Sequence, residues 1–199
     1  MTKLINCLVN KDTSCVPVWF MRQAGRYLPE FRKIRSQNQN FIKLCLNSEL
    51  SSEITLQPIK RFNLDAAIIF SDILMVPFAL GQEVSFEKNK GPKLSKINID
   101  ELLKKSEGEF SRVLDPVYQA IKKTRTKLNR NVSLISFVGS PWTLIVYMLG
   151  IKKDKNILDL NLLQEKKSEI SLLIKKLTSF LKVHIENQKK AGADVVQIF

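Results

Sequence analysis

A chain of 199 residues, 44% hydrophobic and 26% charged, is long enough to bury one sizeable core, and its 7 Gly and 7 Pro exclude a low-complexity or linker-dominated protein. The net charge of +13 admits a nucleic acid, an anionic surface or a polyanionic small substrate as partner. Much of it sits in lysine pairs at 104–105, 122–123, 152–153, 166–167, 175–176 and 189–190. Most of these pairs fall on stretches that read as helix, where they make a wet face. No aromatic residues are interleaved with them to stack on bases, so a basic module for nucleic acid or anionic surfaces is the lesser reading. Cys7, Cys15 and Cys45 match no CxxC spacing and follow no apolar signal segment. They read as reduced thiols of a cytoplasmic protein, neither a disulfide framework nor a zinc site.

In chain order, residues 1–16 form a polar lead-in with one helical turn. Residues 18–22 read as a short strand between Pro17 and the turn at Ala24-Gly25. A helix starts at Pro29 and runs to Arg35. Another spans 48–62, with Ser48 as N-cap and Ser51 or Ser52 as alternatives; Pro58 is expected to kink it or end it early. The apolar run of 65–70 suits a parallel strand buried on both faces, and Asp72 stands at its C-terminal end. Residues 77–92 read as irregular with a hairpin, of which 83–87 alternate as a half-exposed strand should. Helices are expected at 99–105 and 114–128.

The uncharged run 132–151 is long enough to span a bilayer. Gly139-Ser140-Pro141 divides it, and strand-turn-helix is the better reading: a buried strand at 132–138, then a helix with Ser140 as N-cap and Pro141 at its first position. A long amphipathic helix covers 162–191, with Ile170, Leu173, Ile174, Leu177, Leu181 and Ile185 on one stripe and Gly192 as its cap. Residues 194–199 form a fourth core strand. Strands alternating with helices imply an α/β fold with a parallel sheet. A last buried strand with no helix after it leaves an open edge, so the chain is expected to continue.

Residues 17–35 hold four of the eight arginines: Arg22, Arg26, Arg32 and Arg35. Arginine concentrated in a lysine-rich chain suits planar, bidentate anion recognition, and Gly25 lets backbone approach a ligand. A surface helix start with solvated charges accounts for them equally. Arg22 and Arg26 follow the first expected strand, Asp72 the second, and Gly139 with the helix bearing Tyr147 the third. In a β/α barrel these gather at one mouth, as a ligand with several acidic groups and some N–H donors would require. Asp72 could instead be a helix N-cap, and Tyr147 a core or interface aromatic.

The stretch Pro17-Val18-Trp19-Phe20-Met21-Arg22-Gln23-Ala24-Gly25-Arg26-Tyr27-Leu28-Pro29-Glu30-Phe31 resembles the N-terminal signature of the uroporphyrinogen decarboxylases. Segments 50–62, 66–80, 139–144 and 192–199 are similar to that family in the same order. The resemblance implies a (β/α)8 barrel, of which residues 1–199 are the first four β/α units and the N-terminal half of a single domain with no second domain. It also implies a cytoplasmic homodimer, with no cofactor or metal. The implied reaction is the haem-pathway removal of four acetate carboxyl groups from uroporphyrinogen III, giving coproporphyrinogen III.

Carried over, Arg22 and Arg26, with the Gln23-Ala24-Gly25 backbone between them, bind substrate carboxylates. Asp72 accepts the pyrrole N–H groups, Tyr147 contacts the substrate, and Arg35 and Phe137 are further candidates. Ser136 departs from the family's usual glycine and is expected to narrow the pocket. The Ser or Thr and the His that the family uses at its substrate are expected beyond Phe199. His184, on the apolar stripe of the long helix, reads as a core or interface residue. The alternative reading of the chain as it stands is an inactive, truncated piece of that enzyme.

Overall fold

The computed structural model describes residues 1–87, 91–151 and 158–199; the lysine pair at 152–153 lies outside them. In place of the expected single turn, the lead-in folds as an 8-residue helix, α1 (Lys3–Asn10), capped by the Thr2 hydroxyl and burying Leu4. The helix α2 (Pro29–Gln37) starts on its proline and buries Phe31 and Ile34. Asn40 caps α3 (Phe41–Cys45). The cap of α4 (Ser48–Arg61) is Asn47, whose side chain accepts from the Leu50 N–H at 3.0 Å; Ser48 is already helical. Pro58 neither ends nor shortens α4 before Arg61, and its carbonyl accepts the Phe62 N–H that closes the helix.

Then come β1 (Ala66–Ile68), α5 (Met75–Ala79), β2 (Val84–Glu87) and β3 (Gly91–Leu94). The hairpin is where it was expected, with Val84 opposite Leu94 in an antiparallel pair, but α5 is a turn of helix in a stretch expected to be irregular. Next are α6 (Ile99–Lys104), α7 (Glu107–Lys127), which starts well ahead of the expected 114, and β4 (Ser133–Val138). The Ser140 hydroxyl caps α8 (Pro141–Met148), as the Ser-Pro pair predicts. The long helix is divided at Lys166 into α9 (Leu160–Glu165) and α10 (Lys167–Lys190). Gly192, at φ +109°, ends α10, and β5 (Val195–Ile198) follows. Among the described residues, no helix is long and apolar enough to cross a membrane.

The chain divides into two compact units. The first comprises Met1–Asp72, Asp115–Phe137 and Glu186–Gln197. Its sheet has the order β1-β4-β5. The strand β1 runs parallel to β4, with Ala66 opposite Ser133 and Ile68 opposite Ile135. The strands β1 and β4 are buried on both faces, whereas β5, expected as a core strand, is partly exposed, with Ile198 at 54%. Leu4, Ala66, Ile68 and Ile135 form one core with Trp19, Phe137 and Val195 packed against it. Leu28, Phe31, Ile34, Leu44 and Ile54 form another, with Phe70 against it. This double burial is why 65–70 reads as an unbroken apolar run.

Residues 18–22 are not a strand. The Asp65 N–H donates to the Val18 carbonyl at 2.9 Å, but the Val18 N–H goes to the Asp65 carboxylate at 2.9 Å, where a ladder would supply a carbonyl. The chain then turns at Met21-Arg22. Pro17, without an N–H, cannot extend the pairing backwards.

The second unit comprises Ile73–Leu114, Val138–Ile185 and Ile198–Phe199. It holds the hairpin, α5, α6, α8 and α9. Phe110 and Phe180, each at most 1% exposed, pack there with ring centroids 4.8 Å apart.

Candidate functional site

The loop of residues 17–28 is stapled to β1 by a buried amide. Gln23 is 2% exposed; its Nε2 donates to the Ala66 carbonyl at 3.0 Å, and its Oε1 accepts the Phe20 N–H at 3.1 Å. The Tyr27 hydroxyl donates to the Gln23 carbonyl, and the Leu28 N–H to the Gly25 carbonyl at 3.0 Å. These bonds close a tight turn around 23–26. They also take up the Gln23 side chain, so that of Gln23 only the backbone N–H is left to meet a ligand. Arg22 and Arg26 stand exposed at the two shoulders of the turn. Among the described residues, neither guanidinium forms an ion pair or hydrogen bond.

The end of β1 faces this turn. The last ladder bond runs from the Ile69 N–H to the Ile135 carbonyl at 2.9 Å; Phe70, Ser71 and Asp72 follow. A cleft of about 160 Å³ lies between the two, lined by Arg22, Ala24, Phe70, Ser71 and Phe137 among others. The same loop borders a second cavity of about 600 Å³, walled by Phe20, Tyr27, Phe62 and Leu64 and so mostly apolar. Phe137 thus belongs with the Arg22 cleft. Ser136 does not: the pleat turns it to the other face of β4, where it is 0% exposed and its hydroxyl has no hydrogen-bond partner. The expectation that Ser136 narrows the pocket is corrected accordingly.

Asp72 is partly buried. Its charge is felt by the buried Cys45 thiol, whose pKa is pushed up chiefly by burial and then by the Asp72 carboxylate, with Arg35 opposing. Arg35 is engaged elsewhere. Its guanidinium donates to the Asn38 carbonyl and, at 2.7 Å, to the Gln39 carbonyl, and lies 5.7 Å from the centre of the Phe41 ring. It closes the C-terminal end of α2.

The strand end itself is held by two hydroxyls that the sequence presents only as possible helix caps or interior polar residues. Ser51 Oγ donates to the Phe70 carbonyl at 2.6 Å, and the Phe70 N–H donates to Thr55 Oγ1 at 2.9 Å.

Tyr147 lies in the second unit, partly buried on α8. With Met148, Ser95, Lys96 and Lys166 it borders a cavity of about 1000 Å³ in that unit. Gly139, at the mouth of β4, has no room for a side chain: a Cβ there would lie 2.8 Å from Leu144 Cδ2. Among the described residues, no cluster of His, Cys, Asp and Glu is placed to hold a metal ion.

Comparison with known proteins gives a consistent answer. The family model described as uroporphyrinogen decarboxylase (URO-D) matches residues 1–199. The uroporphyrinogen decarboxylase of Rickettsia felis is 43% identical over 203 residues, covering 100% of this chain and 58% of its own length. That of Rickettsia conorii is 44% identical over 200 residues with the same coverage. That of Campylobacter jejuni is 42% identical over 198 residues, covering 98% of this chain and 58% of its own length. The chain therefore spans 58% of the length of these curated relatives. Among solved structures, a methyltransferase from Methanosarcina mazei superposes with a TM-score of 0.66 at 19% identity, covering 98% of this chain and 57% of its own. At that identity the likeness is one of fold, and with the parallel sheet it bears out an α/β fold of the barrel class, of which this chain supplies a part.

Proposed function

The chain belongs to the uroporphyrinogen decarboxylase family, and we propose that the complete protein decarboxylates the four acetate side chains of uroporphyrinogen III to give coproporphyrinogen III and four CO2. Residues 1–199 would then be the first part of a single barrel domain in a cytoplasmic homodimer. The observation that carries the reading is the pair of exposed guanidinia, Arg22 and Arg26, without protein partners among the described residues, on a turn stapled beside the strand end that leads to Asp72. Unpaired arginines held on a rigid turn suit carboxylates, and an acceptor-only aspartate suits pyrrole N–H groups.

In this reading Arg22, Arg26 and the backbone of Gln23, Ala24 and Gly25 take substrate carboxylates. Phe137 walls the cleft, Tyr147 contacts the macrocycle, and Arg35 shapes the loop after α2. Protonation of a pyrrole carbon makes the ring an electron sink. The bond to the acetate carboxyl group breaks, CO2 leaves, and its electron pair enters the ring as an exocyclic methylene. A proton taken at that methylene carbon gives the methyl group, and the ring returns the first proton. Asp72, near the ring nitrogens, stabilises the cation that forms between these steps.

The test is turnover of uroporphyrinogen by the complete protein and by its Asp72→Asn variant. The expected loss in kcat is about 100-fold or more; turnover retained by Asp72→Asn would refute the assignment of Asp72. A second reading, inactivity of residues 1–199 alone, is favoured by the span of the chain, which covers 58% of the length of the curated relatives. Purified residues 1–199 should give no coproporphyrinogen; product formation would dismiss this second reading.

A further inference from the structure

Two buried hydroxyls on α4 occupy positions that packing alone would fill with apolar side chains. Ser51 is 1% exposed and Thr55 0%, and they lie one turn apart on the helix. At Phe70 the main chain leaves the ladder with β4, and its partly buried polar groups need new partners. Thr55 Oγ1 accepts the Phe70 N–H at 2.9 Å, and Ser51 Oγ donates to the Phe70 carbonyl at 2.6 Å. The Thr55 hydroxyl proton goes to the Ser51 carbonyl at 2.7 Å. These three bonds close a ring in which both hydroxyl protons are committed and both backbone groups of Phe70 are satisfied. The Phe70 side chain is fixed as well, edge-on to Phe31 and to Phe41 with ring centroids 5.8 Å apart in each case.

We propose that Ser51 and Thr55 are positioning residues for Asp72. They replace the ladder bonds that β1 gives up at Phe70 and so fix the point from which the chain reaches Asp72 two residues later. The inference rests on the role of Asp72 proposed above. Neither hydroxyl touches substrate. Thr55 is needed as an acceptor, which valine cannot be and serine can. Displacing a reacting group by about 1 Å lowers rates by about 100-fold, so a small shift at Phe70 is enough to matter.

The experiment uses the complete protein with Thr55→Val, Thr55→Ser and Ser51→Ala. Thr124→Val serves as control, because Thr124 is also 0% exposed and bonds the carbonyl four residues back, that of Ala120, at 2.7 Å without holding a strand end. Thr55→Val should lower kcat about 10- to 100-fold while KM changes far less. Thr55→Ser should stay within about threefold of the parent, by the same measure of displacement. Thr124→Val should lower Tm without lowering kcat. The proposal is overturned if Thr55→Val keeps kcat while losing Tm, or if Thr124→Val loses as much kcat as Thr55→Val. Should Thr55→Val fail to fold, Ser51→Ala decides by the same comparison. The carboxyl resonance of Asp72, followed by 13C NMR, separates this inference from the proposed activity. If the parent protein does not decarboxylate, the activity is wrong, yet a resonance moved by Thr55→Val and restored by Thr55→Ser supports the clamp, and an unmoved one overturns it.

Discussion

His184 is 4% exposed and lies edge-on to Phe110, with ring centroids 6.1 Å apart. Burial pushes its pKa down to about 3. In the unfolded chain the imidazole takes its proton near pH 6.5. Between those values the unfolded state binds one proton more than the folded state, so stability falls as pH falls, by about 1.4 kcal/mol per pH unit. Urea denaturation from pH 7 to 4.5 should show that slope, and His184→Leu should remove it; an unchanged slope would mean that some other group governs this window. The core reading of His184 from its helical stripe is borne out by this burial. Asp65 acts at lower pH and in the same direction. The Val18 N–H, and after it Lys3, hold its carboxyl below the ordinary value against the opposing effect of burial. Its contribution is complete above about pH 3.9 and disappears as pH drops through the lowered value. Asp65→Asn should cost about 1.5–3 kcal/mol, the range for a hydrogen bond to a charged group, and should speed amide exchange at Val18.

Gly192 shows how one helix end is fixed by more than its own residues. Its φ of +109° strains any L side chain, and an added Cβ would lie 3.0 Å from Arg125 Cγ. Arg125 has little freedom to withdraw, because its guanidinium bonds the carbonyls of Leu128, Asn129 and Val132 and pairs with Asp194 at 2.9 Å. Gly192→Ala should therefore cost about 2 kcal/mol, from left-handed backbone strain and crowding together; a loss below about 0.5 kcal/mol in denaturant titration would show that Arg125 adapts. The glycine was legible as a cap because its signal is local, and Ser140-Pro141 and Pro29 were legible for the same reason. The features that were missed depend on distant partners. Residues 18–22 look like a strand, but the Asp65 side chain takes the place of a ladder carbonyl, and no propensity registers that substitution. Asn47 displaced Ser48 as cap of α4 by one position, within the range where neighbouring polar residues compete. At the site, the motif located the turn at 22–26 and Asp72. It could not tell that the Gln23 side chain is consumed by β1, that Arg35 is consumed by the loop after α2, or that Ser51 and Thr55 hold Phe70, since each depends on a carbonyl or N–H in another stretch of chain.

Over the whole molecule the net charge of +13 acts in two distinguishable ways. A diffuse positive field raises the arrival rate of any polyanion and is screened by salt. A guanidinium in contact with a bound carboxylate acts at short range and, once desolvated, is screened much less. Lys175 and Lys182 of α10 belong to the first kind: both are exposed, and neither takes part in an ion pair among the described residues. In the proposed site Arg22 belongs to the second kind, because the turn that carries it is pinned by the buried Gln23. Replacing Arg22 with Gln in the complete protein should lower kcat/KM for uroporphyrinogen about 10- to 100-fold, the equivalent of one charged hydrogen bond, and the loss should persist at 0.3 M salt. The double variant Lys175→Gln, Lys182→Gln should lose less than about threefold at low salt and nothing at 0.3 M, where the Debye length falls below about 8 Å. Nucleic acid provides the contrasting case. A protein that bound it through its collective charge would lose affinity steeply and linearly in log salt, and both kinds of variant would weaken it alike. If the Arg22 variant and the lysine variant lose turnover equally and recover equally in salt, the arginines of the turn are ordinary members of a basic surface, and the carboxylate site must be sought elsewhere.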